Sequence, residues 1–334
     1  MALDVALDIG TASTRLATAQ RGVLFNEPTM VAIDTSSGDV VEVGHGAMDL
    51  VGRTPRHVVV FRPFAQGATV DFDVTARLIA GLFDRAGVSK LSRARVVMSV
   101  PSLATAIERR ALRQAAIQAG AREVSLVESP LAAAIGLGLP IQDPVGSAVV
   151  LLGAGASEVA VISLGGIVTG SARRLGGSDV DAALATLLRV HHGVVVAPSV
   201  IEELKISLAD AKAQSSAPPE TVAARTVDRG EPVVVTVDAG LVHRALGDIL
   251  TALVRMVQEC LSDTPPDLSQ DVSARGMTLA GGASRLVNLD GLLASSSGVD
   301  VNVAPDPELV VIRGLQYCLE EMASLHALFR EADR

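Results

Sequence analysis

Two short stretches of small residues carry the chemistry that can be read most directly. Asp8-Ile9-Gly10-Thr11-Ala12-Ser13-Thr14 closes an apolar strand with a bend in which glycine and short side chains let backbone N–H groups approach an anion such as phosphate. Asp8, at the strand end, is placed to hold a metal-bound water. Gly153-Ala154-Gly155-Ala156-Ser157 repeats the bend, with Gly153 standing 143 positions after Gly10. A glycine pair, Gly281-Gly282, follows the short apolar run 277–279 and removes side-chain bulk where a flat purine would enter. Two such bends facing each other across a cleft, with the glycine pair beside them, form a clamp for a nucleotide. It is neither a Walker loop nor a Rossmann fingerprint, since GxxxxGK[ST] and GxGxxG are both absent.

The elements that must hold these bends follow from the flanking pattern. Residues 5–9, 14–19 and 23–25 read as three strands joined by tight turns, and 148–152 and 158–162 with the turn at Gly165-Gly166 repeat them. Two related halves are therefore expected. Between them, 73–86 has helical apolar spacing, 96–100 is a strand ended by Pro101, and 104–119 is a helix stopped by Gly120. A strand at 124–127 leads into a helix with Pro130 in its first turn. Further on, 180–191 and 200–212 read as helices, 214–219 as a Ser/Pro loop, 233–237 as a strand, 239–261 as a long helix, 277–279 as a strand, and 308–329 as a closing helix. Alternating strand and helix predicts an α/β fold around buried sheets.

Composition narrows the function classes. A chain of 334 residues suits two domains of roughly 150 residues each. Apolar residues make up 49%, yet the longest uncharged runs reach only 14 residues, short of the roughly 18 a membrane-spanning helix needs. The opening Met1-Ala2-Leu3-Asp4 lacks the basic and apolar regions of a secretory signal, so the expected location is the cytoplasm. A net charge of −9 without clustered cations, a single tyrosine and no tryptophan argue against nucleic acid as a partner. Cys260 and Cys318 have no metal-binding spacing and read as buried thiols.

The order of the two bends, a linking helix and a late glycine pair resembles the superfamily of actin, sugar kinases and DnaK-type chaperones. The flanking segments resemble the MreB family in particular: Asn26-Glu27-Pro28, Val43-Gly44-His45, Gly52-Arg53-Thr54-Pro55, Arg62-Pro63, Glu108-Arg109-Arg110-Ala111, Glu158-Val159-Ala160-Val161-Ile162-Ser163, Arg174 with Gly176-Gly177, and Arg275-Gly276-Met277. These matches run in family order over nearly the whole chain. The resemblance implies an actin-like fold, with two ribonuclease-H-like lobes around a nucleotide cleft. The first lobe core would comprise 1–30, 65–143 and 315–334, with a small subdomain at 31–64; the second would comprise 144–177 and 240–314, with a small subdomain at 178–239.

Position by position, the resemblance implies an ATP and Mg2+ site. Asp8, Gly10, Thr11, Ala12 and Ser13 would form the first phosphate loop, with Asp8 reaching the metal through water. Gly153, Ala154 and Gly155 would form the second loop, Glu202 and Lys205 would approach ribose and adenine, and Gly281, Gly282 and Ala283 would flank the nucleoside. Read without the resemblance, Glu202 and Lys205 are an exposed helical pair at i,i+3. The chain also departs from the family. Leu151 stands where the second loop normally begins with Asp, and Ser129 stands before Pro130 where an acid positions the attacking water. Glu128 lies one residue away, and Glu158 or Asp179 are the residues available to restore a lost carboxylate. Losing a positioned acid or base costs on the order of 100- to 10,000-fold, so weakened hydrolysis is expected with nucleotide binding retained.

Function follows the same resemblance: filaments formed with itself or with a standard MreB, attached to the inner face of the membrane, meeting wall-synthesis membrane proteins and contributing to cell shape and peptidoglycan synthesis. The alternative is a non-polymerising scaffold with the same fold, a pseudo-ATPase acting on a standard MreB. The segment 87–95 around Leu91 mixes apolar residues with three cations, which suits either contact with an anionic bilayer or an ordinary solvated loop.

Overall fold

The structure is a computed structural model and describes residues 4–88, 94–212, 214 and 216–321. Residues 89–93 of the 87–95 segment around Leu91, and the end of the closing helix, beyond 321, lie outside the described residues.

Two five-stranded sheets organise the chain, and they share one topology. The first runs Gly22–Pro28, Ser13–Thr18, Val5–Ile9, Arg95–Val100, Glu123–Glu128 in spatial order. The second runs Gly166–Arg173, Ser157–Ser163, Ser147–Leu152, Met277–Ala280, Val301–Val303. In each, three consecutive strands form an antiparallel meander and two later strands add in parallel on the other side. The register repeats as well: Asp8 pairs with Arg15, and Leu151, 143 positions after Asp8, pairs with Glu158. The two related halves expected from sequence are thus present in strand order.

Local signals explain where the helices start. Phe72–Ala86 is capped by Asp71, whose carboxylate accepts from the Val74 N–H at 3.0 Å, and ends at Gly87 in the left-handed region. Ala106–Gln118 opens with a reciprocal Thr105/Glu108 capping box. These two helices share the apolar cluster on the outer face of the first sheet, and Ala239–Asp263 covers that of the second, with Gly177–His192 and Pro198–Leu208 packed against it. The helix expected over 200–212 ends earlier. Ala209 turns extended, and Asp210 leaves the helix to accept two bonds from the Asn288 side chain and one from the Lys212 N–H. The closing helix begins at Val310 after a 3-10 turn at Pro307–Leu309, two residues later than its pattern predicts.

Between the sheets lie Ser129–Gly136 and Val310–Glu320, which share one apolar cluster with the inner faces of both sheets. The two helices touch backbone to backbone. A Cβ on Gly314 would stand 1.8 Å from the Ala132 carbonyl oxygen, and one on Gly136 would stand 2.0 Å from that of Val310. Smaller sheets extend each half: Val40–Val43, Val31–Asp34 and Val58–Phe61 in the first, and Val194–Val195, Glu220–Thr226 and Pro232–Val237 in the second. Cys260 and Cys318 are buried free thiols, as their sequence context suggests.

Candidate functional site

The two bends close in the same way. The Gly10 N–H donates to the Ser13 carbonyl at 2.9 Å, and the Gly153 N–H donates to the Ala156 carbonyl at the same distance. Their outward carbonyls are engaged elsewhere. Gly10 O accepts from the Thr29 hydroxyl at 2.7 Å, while Gly153 O and Ala154 O accept from the Gly177 and Ser178 N–H groups that open the helix Gly177–His192. The amides of Thr11, Ala12, Ala154 and Gly155 find no acceptor among the described residues. Donors clustered in this way, with a helix N-terminus alongside, favour an anion.

The bends face each other. A Cβ on Gly155 would lie 2.3 Å from Thr11 Oγ1, so glycine is required where the second loop meets the first. Both line one cavity of about 460 Å³. Of the residues expected at the site, Asp8, Gly10, Thr11, Ala12, Ser13, Ser129, Gly153, Ala154, Gly155, Glu202, Lys205, Gly281, Gly282 and Ala283 all line that cavity. Glu128 does not; its carboxylate pairs with Arg109 at 2.7 Å. Asp179 accepts from the Gly176 N–H at 2.7 Å, which holds the start of its own helix. At the purine end, Gly281 has φ 86° and touches the Leu152 carbonyl so closely that a Cβ would stand 2.2 Å from it, while Gly282 faces open space.

Charges that sequence reasoning did not place complete the site. Arg15 lines the cavity and pairs with Asp8 at 3.2 Å, and the other Asp8 oxygen accepts from the Ser99 hydroxyl at 2.6 Å. Arg15 had a local signal: a bend at residues 10–13 sets position 15 opposite position 8, on the same face of the sheet. Glu158, 3% exposed, also reaches the cavity, and its carboxylate takes the Ser102 N–H at 2.8 Å across the lobes. Burial pushes its carboxyl up to about 7. Lys205 is held by Asp181 at 2.8 Å rather than by Glu202. Burial moves the Asp181 carboxyl upward and the Arg62 guanidinium downward, with Glu202 and Asp181 drawing Arg62 back up.

Comparison with known proteins decides the family. The family model described as MreB/Mbl protein matches residues 2–327. The chain belongs to the MreB/Mbl family. It is 39% identical to the cell shape-determining protein MreB of Escherichia coli (strain K12), over 98% of this chain and 96% of that protein. It is 34% identical to the cell shape-determining protein Mbl of Bacillus subtilis (strain 168), over 97% and 98% of the two chains. Among solved structures, MreB5 of Spiroplasma citri bound to ADP superposes with a TM-score of 0.88 at 25% identity, covering 97% of each chain. A MamK double helical filament matches at TM-score 0.80 and 19% identity, covering 96% of this chain and 99% of that one. The fold is therefore the actin-like α/β fold.

Set beside the MreB/Mbl resemblance, the metal donors are sparse. Mg2+ is bound through carboxylates, waters and substrate phosphates in near-octahedral geometry. Here both Asp8 oxygens are engaged, Leu151 puts an aliphatic chain at the matching slot, and Glu158, the other acid on the two bend-bearing hairpins, is buried against Ser102, while Glu202 and Glu308 line the cavity from other elements. No cluster of three metal-ligating side chains occurs among the described residues. The donor set does not fit a magnesium ion held in the way the resemblance implies.

Proposed function

We propose that the chain binds ATP between its two lobes, self-associates into filaments, and serves cell shape and wall growth at the inner face of the membrane, with slowed hydrolysis. The observation that carries the nucleotide reading is the pair of bends whose amides converge on one cavity beside Gly282. Two structures of Spiroplasma citri MreB5, with ADP and with AMPPNP, superpose on this chain at TM-scores of 0.88 and 0.89. The shape role comes from the Escherichia coli and Bacillus subtilis relatives named for it. Among the described residues no helix is long and apolar enough to cross a membrane, which suits peripheral attachment. Head-to-tail stacking of identical subunits is a heterologous contact and grows without closing.

Slow hydrolysis rests on Ser129. It lines the cavity where the resemblance puts a water-positioning acid, and a serine hydroxyl is a poor base at neutral pH. Phosphate release should be measured for the wild type and Ser129→Glu, alongside sedimentation over a range of protein concentration. The variant is expected to turn over ATP roughly 100-fold faster or more. Steady wild-type turnover that Ser129→Glu leaves unchanged would refute the slowed site. A chain that stays monomeric at every concentration, with and without ATP, would favour the scaffold reading over the filament.

A further inference from the structure

We propose that Arg15 is a phosphate-binding cation built into the chain, and that it makes nucleotide binding in this cleft independent of a divalent metal ion. The inference rests on the nucleotide reading above and specifies how that site neutralises its ligand.

The first ground is position. Strand alternation buries Leu7 and Leu16 completely and turns Asp8 and Arg15 to the cavity, directly opposite one another. The Arg15 side chain is 14% exposed, and its bond to Asp8 is the single hydrogen bond it makes among the described residues. Its Nε is buried with no hydrogen-bond partner. A guanidinium offers five N–H donors in a planar fork, and leaving one buried and unpaired is costly. The buried Nε is closed to the cavity, but an anion there, flanked by the loop amides, can pair with the terminal N–H groups that Asp8 leaves free. Guanidinium N–H groups form strong charge-assisted hydrogen bonds to phosphate oxygens.

Charge is the second ground. The two bends present four equivalent cross-strand slots, filled by Asp8 and Arg15 on one side and by Leu151 and Glu158 on the other. Two carboxylates at 8 and 151 would attract a dication. Instead, the Asp8–Arg15 pair is neutral, Leu151 is apolar, and Glu158 points to Ser102. The guanidinium 3.2 Å from Asp8 cancels the charge that would draw a metal ion, and its remaining N–H donors favour a polyphosphate oxygen. Asp8 and Ser99 then serve to hold the guanidinium's anchor in place rather than to carry a metal's water.

The test is the affinity of the full chain for a fluorescent ATP analogue, by anisotropy, in Mg2+ and in excess EDTA. The wild type is expected to bind with affinities within about threefold in the two buffers. Arg15→Leu should bind at least about tenfold more weakly in EDTA, the loss expected for charge-assisted hydrogen bonds. Arg15→Lys, which keeps the charge and the Asp8 partner but loses the fork, should fall between the two and remain indifferent to metal. Wild-type binding that appears only with Mg2+ overturns the inference and leaves the nucleotide reading standing. Arg15→Leu binding as tightly as wild type in EDTA also overturns it, since Arg15 would then be only the partner of Asp8. Absence of wild-type binding in both buffers removes the nucleotide reading and the inference together. Should Arg15→Leu fail to fold, the wild-type buffer comparison and Arg15→Lys still decide.

Discussion

Glu158→Gln isolates the one deeply buried carboxyl that reaches the cleft among the described residues. The amide keeps an oxygen to accept the Ser102 N–H, now at 2.8 Å, and removes the ionisable group. Burial raises the Glu158 carboxyl from 4.5 to about 7, the Ser102 bond draws it down, and the nearby Glu128 pushes it up again. An acid held above its unfolded value takes up a proton on folding, so its contribution is complete below pH 4.5 and is lost as pH rises to about 7. The gap of roughly 2.5 pH units, at about 1.4 kcal/mol each, amounts to about 3 kcal/mol. Asp4, Glu27 and Glu108 are lowered, so their contributions are complete above about pH 5 and leave this window unaffected. Asp181 is raised and slopes the same way as Glu158, which makes the difference between the two proteins the informative quantity. Urea titrations of wild type and Glu158→Gln at pH 5, 6, 7 and 8 should show the variant gaining on the wild type as pH rises, by up to about 3 kcal/mol at pH 8. A difference that is the same at pH 5 and pH 8 would refute the reasoning, because Glu158 would then carry the same charge folded as unfolded.

Other perturbations address the bends and the helix pair. Gly155→Ala places a methyl 2.3 Å from Thr11 Oγ1 and 2.8 Å from the Gln66 amide nitrogen, so the bends must part; nucleotide affinity should fall at least about tenfold while the melting temperature moves by only a few degrees. Gly314→Ala drives a methyl to 1.8 Å from the Ala132 carbonyl and should cost more than the roughly 1–3 kcal/mol of ordinary overpacking, whereas Gly247→Ala, on an open helix face, should stabilise by about 0.5–1 kcal/mol; comparable melting temperatures for the two would contradict the packing described.

What the sequence revealed was local. Gly10 and Gly153 end apolar strands and close bends with equal hydrogen bonds, so both hairpins and their repeat could be read from a few residues each. Phe72–Ala86 and Ala106–Gln118 carry their own caps, and their starts were legible to within a residue or two. Misreadings arose where a distant partner decides. Apolar spacing favours helix through 212, but the Asn288 amide, 78 positions away from Asp210, takes that carboxylate out of the helix. Lys205 looks like the helical neighbour of Glu202, yet its partner is Asp181 on another helix. Helices Pro266–Arg275 and Leu289–Ser297 went unread because Asp, Ser and Gly in them speak for loops, and only packing on the second sheet overrides that preference.

The two lobes are held together unequally, and the difference bears on how the cleft works. On the cleft side, Arg174 pairs with Glu108 at 2.8 Å and donates to the Gln66 carbonyl at 3.0 Å, and Glu158 takes the Ser102 N–H. The Arg174 pair is about one-third exposed on one partner and one-quarter on the other, so solvent limits it to roughly 1 kcal/mol or less. On the far side, Ser129–Gly136 and Val310–Glu320 are buried between the sheets and meet through Gly136 and Gly314 without room for a methyl. Parting the helices would expose that shared apolar cluster, at about 25 cal/mol for each Å² uncovered. Separation of the lobes is therefore cheaper at the bends than at the helix pair, and any ligand held by both bends works against the weaker side. A polyphosphate that touches Arg15 and the amides of both loops would bias the lobes toward closure by its difference in affinity for the closed and open forms, with no change demanded of the helix pair.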